Sequence, residues 1–242
     1  MNEYPGDAPD PCLVAAMDPP WDADNGGGGK GANHKYPTMG VDAIARVVRM
    51  SPPWTDTGNA LVFMWATTSA VLAGDAHALA NLLHLRPCAQ FIWAKAERVT
   101  RVLVRPAEEE LEGKAEELAA ILEGTFEADV VGANLFRPMP LPGIGQWTRC
   151  EHEHLLVCRR GDVQVPSFQD RQRSVIYAPR GEHSAKPEEA WAVIEATALS
   201  STGLRAGVEF FARHRRRAWG AWGHLDGAAN PARYERAGKD EA

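Results

Sequence analysis

The sequence predicts an α/β domain built on a mostly parallel, doubly wound sheet. Short apolar runs recur at residues 13–17, 60–65, 89–93, 155–158, 174–177 and 207–211. Helical patterns lie between several of them, and strands alternating with helices argue for parallel strands covered on both faces. The chain has 242 residues, of which 45% are hydrophobic and 24% charged, which suits one α/β domain with a substantial core.

In chain order, residues 1–11 are polar and are expected to be flexible, and residues 12–226 form a single domain. The first strand, Leu13-Val14-Ala15-Ala16-Met17, runs directly into Asp18-Pro19-Pro20-Trp21. Residues 41–50 carry apolar side chains at helical spacing after Thr38, an N-cap candidate. Residues 69–85 are rich in Ala and Leu and predict a helix that stops before Pro87. Residues 108–123 predict a charged helix within an acidic insertion at about 97–130. Residues 132–147 read as a Pro/Gly-rich loop long enough to bind or cover a ligand. Residues 187–198 predict a helix with Pro in its first turn followed by Glu188 and Glu189. The tail, 227–242, is small and polar.

The formal charge of -6 argues against a chain that binds nucleic acid over its whole surface. Charge is nonetheless uneven, with base gathered at Arg159-Arg160, Arg171 to Arg173 and Arg213 to Arg217. The four cysteines lack paired metal spacing and read as reduced thiols. No signal peptide or span-length apolar stretch is present in the sequence, so a soluble, cytoplasmic protein is expected, without membrane partners. His152-Glu153-His154 lacks the second His at i+4 on a helix that zinc sites of that type need, and no metal is expected. The glycine-rich stretch 24–31 is no phosphate loop, since Asp24 and Gly31 stand where that motif requires Gly and Ser or Thr.

The quartet at 18–21 is the most informative stretch. In open α/β sheets ligands bind outside the carboxyl ends of strands. Each proline there fixes φ and removes a donor, so the carbonyls are expected to face outward as acceptors. Asp18 adds an anionic acceptor and Trp21 a flat face, a combination suited to a planar group bearing an exocyclic amine, such as adenine.

Asp18-Pro19-Pro20-Trp21 after a strand resembles the catalytic motif of the MT-A70-like adenine-N6 methyltransferases, and further segments agree in order. Tyr36-Pro37-Thr38-Met39, the strand ending Trp65-Ala66-Thr67, Phe91 to Lys95, Gly145-Gln146-Trp147 before Glu153-His154, Ser184-Ala185-Lys186-Pro187 and Glu209-Phe210-Phe211-Ala212-Arg213 all resemble elements of that family. The resemblance spans roughly residues 12 to 225. It implies a Rossmann-like methyltransferase fold with permuted motif order and S-adenosylmethionine as cofactor. It further implies methyl transfer to the N6 amine of adenine in nucleic acid, with DNA slightly favoured over RNA. Asp18, Pro19, Pro20 and Trp21 would be catalytic. Asp18, Lys186, Glu209, Arg213, His214 and His224 would bind cofactor, and Tyr36, Glu153 and Trp147 would bind substrate. Two departures stand out. Gly223-His224 replaces a Gly-Asn pair of the family, and His214 is offset by one position from the family's His. Homo- and hetero-oligomers are both open, as are two other readings: a catalytically weak binding subunit, or a methyltransferase for another exocyclic amine.

Overall fold

The computed structural model describes residues 12–22, 38–103, 131–138, 148, 150–181, 185–213 and 216–222. The predicted helix at 108–123 and the glycine-rich stretch at 24–31 lie outside these residues. The chain divides into two compact units. The larger comprises residues 1–94, 152–176 and 188–242, and the smaller residues 95–151 and 177–187.

The described elements of the chain are β1 (Cys12–Met17), α1 (Val41–Arg49), β2 (Asn59–Ala66), α2 (Thr68–Leu72), α3 (Asp75–Leu82), β3 (Arg86–Leu103), β4 (Val131–Pro138), β5 (His152–Arg160), β6 (Val175–Ala178), α4 (Glu188–Thr202), β7 (Val208–Phe210) and β8 (Gly220–Trp222). In the larger unit the strand order is β3-β5-β2-β1-β7-β8. β1 pairs in parallel with both β2 and β7, and β7 in parallel with β8. β5 runs antiparallel to β2 and to the first part of β3. Thus β1, β2, β3, β7 and β8 point one way and β5 the other, a mostly parallel mixed sheet of an α/β fold consistent with the expected Rossmann-like methyltransferase. In the smaller unit the continuation of β3 pairs antiparallel with β4, from Ala96 opposite Pro138 to Leu103 opposite Val131.

Burial explains why the strands read as continuous apolar runs. In β2 every residue after Asn59 is buried, the pattern of a strand covered on both faces. On one face Ala15, Met17, Val62, Met64, Leu156 and Phe210 join the helices α1 and α3 through Ile44, Val48, Leu79 and Leu83 in one core. Successive side chains alternate across a sheet, so Val14, Phe63, Trp65, Leu155 and Trp93 lie on the opposite face. These are buried, as are Trp191, Ile194 and Ala198 of α4. Gly207 is required where β7 meets β1, because a Cβ there would lie 1.9 Å from the Val14 carbonyl oxygen.

Several boundaries differ from the sequence reading. The helix expected over 69–85 is two helices, broken at Gly74, whose φ of 85° is left-handed. Thr38 does not cap α1. Its hydroxyl donates to Asp22 at 3.0 Å, and the helix follows Gly40, which offers no side chain. The loop expected over 132–147 is strand β4 as far as Pro138. The last helix starts at Glu188, so Pro187 precedes it rather than lying in its first turn.

Candidate active site

Asp18, Glu153, Glu209 and Arg213 lie toward the edge where the parallel strands of the larger unit end. Asp18 follows the last residue of β1. Three contacts hold the loop after it. The Trp21 N–H donates to the Pro19 carbonyl at 2.9 Å, the Met39 N–H donates to the Pro20 carbonyl at 2.8 Å, and the Trp21 indole N–H donates to the Trp65 carbonyl at 2.9 Å. Residues 22 and 38 are thereby drawn together, with Trp21 bridged to Met39 in parallel.

These contacts correct two expectations for the quartet. The Pro19 and Pro20 carbonyls do not both stand open as outward acceptors, since each already receives a backbone N–H. Trp21 is not an open plate either. It is 6% exposed, packed in the core with Met39, Ile44 and Met64, and its ring nitrogen is engaged by β2. An Asp-Pro-Pro-Trp loop built this way is rigid because both proline rings fix φ and the indole anchors the fourth residue.

Beside Asp18 stand the residues that end β7. Arg213 Nη2 lies 3.2 Å from Asp18 Oδ2, an ion pair with side chains 23% and 18% exposed. Glu209, opposite Ala16 of β1 and Ala221 of β8, is pushed up to about 7. Burial is the main cause, the negative charge of Asp18 adds to it, and Arg216 and Arg213 partly offset both. Arg216 forms a two-pronged pair with Glu188, 2.8 Å for one prong, and its guanidinium lies 4.3 Å from the centre of the Trp191 ring. Arg216, part of the basic run at 213–217, is thus engaged by a carboxylate and a ring within the fold.

Glu153 reaches the same edge by an unexpected route. It precedes the apolar part of its strand, and in a parallel strand it would face the far end of the sheet. Because β5 runs antiparallel, Glu153 lies opposite Trp93 at the carboxyl edge. It is two strands from Asp18, ~10 Å across the sheet at normal strand spacing. On the other face of β5 the rings of His152 and His154 meet edge to face at 5.0 Å. Burial, then the neighbouring His152, holds His154 below the usual imidazole range, with Glu153 opposing them.

Lys186 lies in the smaller unit, before α4. Tyr36, Trp147, His214 and His224 lie outside the described residues. Sequence reasoning missed the Trp65 carbonyl as the anchor of Trp21 and the left-handed turn at Phe211, φ 61°. Neither has a local signal, since a backbone acceptor is residue-independent and Phe seldom adopts positive φ. Nor does the sequence show what the Arg159-Arg160 cluster meets. Arg160 donates to the carbonyls of Thr55, Thr57, Gly58 and Leu83, and Arg159 to that of Val163.

An open α/β sheet with an acid-proline-proline-Trp loop at the carboxyl edge of its parallel strands is consistent with a Rossmann-like methyltransferase. Residues 134–225 match the MT-A70 family model, consistent with the MT-A70-like methyltransferases that the motifs resemble. The match supports a methyltransferase dependent on S-adenosylmethionine. It carries Glu153, Lys186, Glu209 and Arg213, while the quartet lies ahead of it. No curated protein matches the chain. Among the described residues, no helix is long and apolar enough to cross a membrane.

Proposed function

We propose that the protein transfers a methyl group from S-adenosylmethionine to the N6 amine of adenine in nucleic acid, with DNA slightly favoured over RNA. The observation that carries this reading is Asp18, a partly exposed carboxylate at the end of β1 on a loop locked by Trp21, Met39 and Trp65. An adenine amine is a weak nucleophile because its lone pair is delocalised into the ring. A carboxylate that accepts an N6–H bond favours a localised lone pair, and a rigid loop holds that acceptor in place. Correct alignment of the reacting groups contributes roughly 7–11 kcal/mol in well-oriented systems.

The donor set suits the cofactor. Asp18 and Glu209 offer acidic groups to a molecule that carries a sulfonium cation, an ammonium group and ribose hydroxyls. When bound, S-adenosylmethionine supplies the electrophilic methyl group. By resemblance, Lys186, Arg213, His214 and His224 are further cofactor contacts, and Tyr36, Glu153 and Trp147 substrate contacts. Trp21 acts in this reading by holding the loop.

A surface on the larger unit supports a nucleic-acid substrate. Phe168 is 83% exposed, and the Arg171 guanidinium lies 5.8 Å from its ring centre. Arg173 follows, and the Ser174 carbonyl beside it accepts the Ile92 N–H on β3. Exposed aromatic and arginine side chains suit bases and phosphates of a single strand, and unpaired adenine also avoids the few kcal/mol needed to flip a base.

The test is transfer of labelled methyl groups to matched DNA and RNA oligonucleotides with and without adenine. Adenine-dependent transfer is expected, falling roughly 10²–10⁴-fold in Asp18→Ala if the carboxylate acts on the amine, with the protein still folded by circular dichroism. Transfer undiminished by Asp18→Ala, or absent from every adenine-containing strand, would sink the reading.

A further inference from the structure

We propose that Arg213 is a positioning residue that orients the Asp18 carboxylate toward the substrate amine, rather than chiefly a cofactor contact. The proposal rests on the adenine-methyltransferase reading above and adds a role to one of its residues. Three features of the backbone bring the guanidinium to this place. First, β7 lies beside β1 in parallel register, Met17 opposite Phe210, so both strands end at the same level. Second, Phe211 is buried at 5% exposure and turns left-handed at φ 61°. A straight continuation of β7 would carry residue 213 about 10 Å beyond Phe210. After the turn, the Arg213 guanidinium instead meets the Asp18 carboxylate. Third, the Ala212 N–H donates to the Trp222 carbonyl at 3.3 Å and Ala212 is fully buried, which fixes the chain just ahead of Arg213.

A non-glycine residue held at positive φ costs free energy, and such strain persists where surrounding structure over-determines it, often at functional sites. Here the strained turn delivers an arginine to the acid that the proposed chemistry needs. The 3.2 Å contact to Oδ2 restricts rotation of the carboxylate about its χ2 angle, so its acceptor direction is set before substrate arrives. The pair is only partly exposed, so water competes with it less than at an open surface. Lysine would supply the charge without the planar fork.

The experiment compares Arg213→Lys and Arg213→Gln with the unaltered protein in three measurements: kcat for methyl transfer to an adenine-containing oligonucleotide, Kd for S-adenosylmethionine by calorimetry, and a thermal double-mutant cycle with Asp18→Asn. The expected result is a kcat lower by roughly 10–100-fold in Arg213→Gln, the scale of loss from slight misplacement of a reacting group. Arg213→Lys should recover part of it, the cofactor Kd should stay within about threefold, and the Tm losses in the cycle should be non-additive. A cofactor Kd raised at least tenfold with kcat intact at saturation, or strictly additive Tm losses, would overturn the proposal. If the unaltered protein methylates no adenine, the parent reading falls and takes the amine-orienting role with it. The thermal cycle then still reports whether the ion pair forms, so the two failures are told apart.

Discussion

Arg160 and Arg213 stand at opposite edges of the larger unit's sheet, and their surroundings differ in kind. Arg160, beside the start of β2, donates to the carbonyls of Thr55, Thr57, Gly58 and Leu83 and lies over the Trp54 ring at 5.2 Å. Its partners are neutral backbone carbonyls of a loop and a helix end. Arg213 meets a carboxylate on a loop that is already held by its own backbone and by Trp21. One arginine therefore closes a structure, and the other meets the carboxylate to which the proposal above assigns the chemistry. Guanidinium chemistry is the same at both ends. What differs is whether the acceptor would be satisfied by folding alone.

That contrast can be broken most strongly at Arg160. Arg160→Met should lower unfolding stability by about 2–4 kcal/mol, since several hydrogen bonds from a charged donor are lost and carbonyls beneath it lose their partner. Activity per folded molecule should stay unchanged, as read by urea denaturation beside methyl-transfer rates. An Arg160 variant that folds normally yet loses activity would erase the distinction between the two edges.

Glu209 sharpens the comparison through pH. A carboxylic acid whose pKa rises from 4.5 to about 7 on folding binds more protons in the folded than in the unfolded chain between those values. Its contribution is therefore fully present below about pH 4.5, is lost as pH rises toward 7, and stays lost above that. The shift corresponds to at most about 3 kcal/mol. Glu209→Gln should flatten this part of the stability profile and be more stable than the unaltered protein at pH 8. Urea midpoints at pH 5 and pH 8 check this, and an unchanged pH dependence in the variant would show that the acid at the carboxyl edge carries no such strain.

The smallest effect is expected at Trp21. Trp21→Phe keeps most of the buried ring but leaves the Trp65 carbonyl without the indole donor, at a cost of about 1–2 kcal/mol. If the indole serves to hold the loop, kcat should fall while the KM for the oligonucleotide changes little. A large KM increase instead would favour direct contact of Trp21 with the base.

Much of the fold was legible because burial leaves a periodic trace. The uninterrupted apolar run of β2 marks a strand covered on both faces, and the acid and prolines after β1 mark its carboxyl end. The break at Gly74 was available in principle, yet the Ala/Leu-rich pattern on either side outweighed a single glycine. Arg159, Arg160 and Arg216 looked like free positive charge because sequence reports the donor and not the carbonyl or carboxylate that meets it. The candidate site was half legible: its acids were found, but not the contacts that orient them.

By itself, then, the amino-acid sequence determined where strands are buried, where the rigid acidic loop falls, and which residue types surround the proposed chemistry, because each depends on neighbours close along the chain. Only the tertiary structure decided that β5 runs backward and so carries Glu153 to the carboxyl edge. Tertiary structure alone also decided that Arg213 meets Asp18 across 195 positions of sequence. Strand direction and ion pairing between distant residues are settled by packing and by a left-handed turn at a phenylalanine, and neither leaves a local pattern to read.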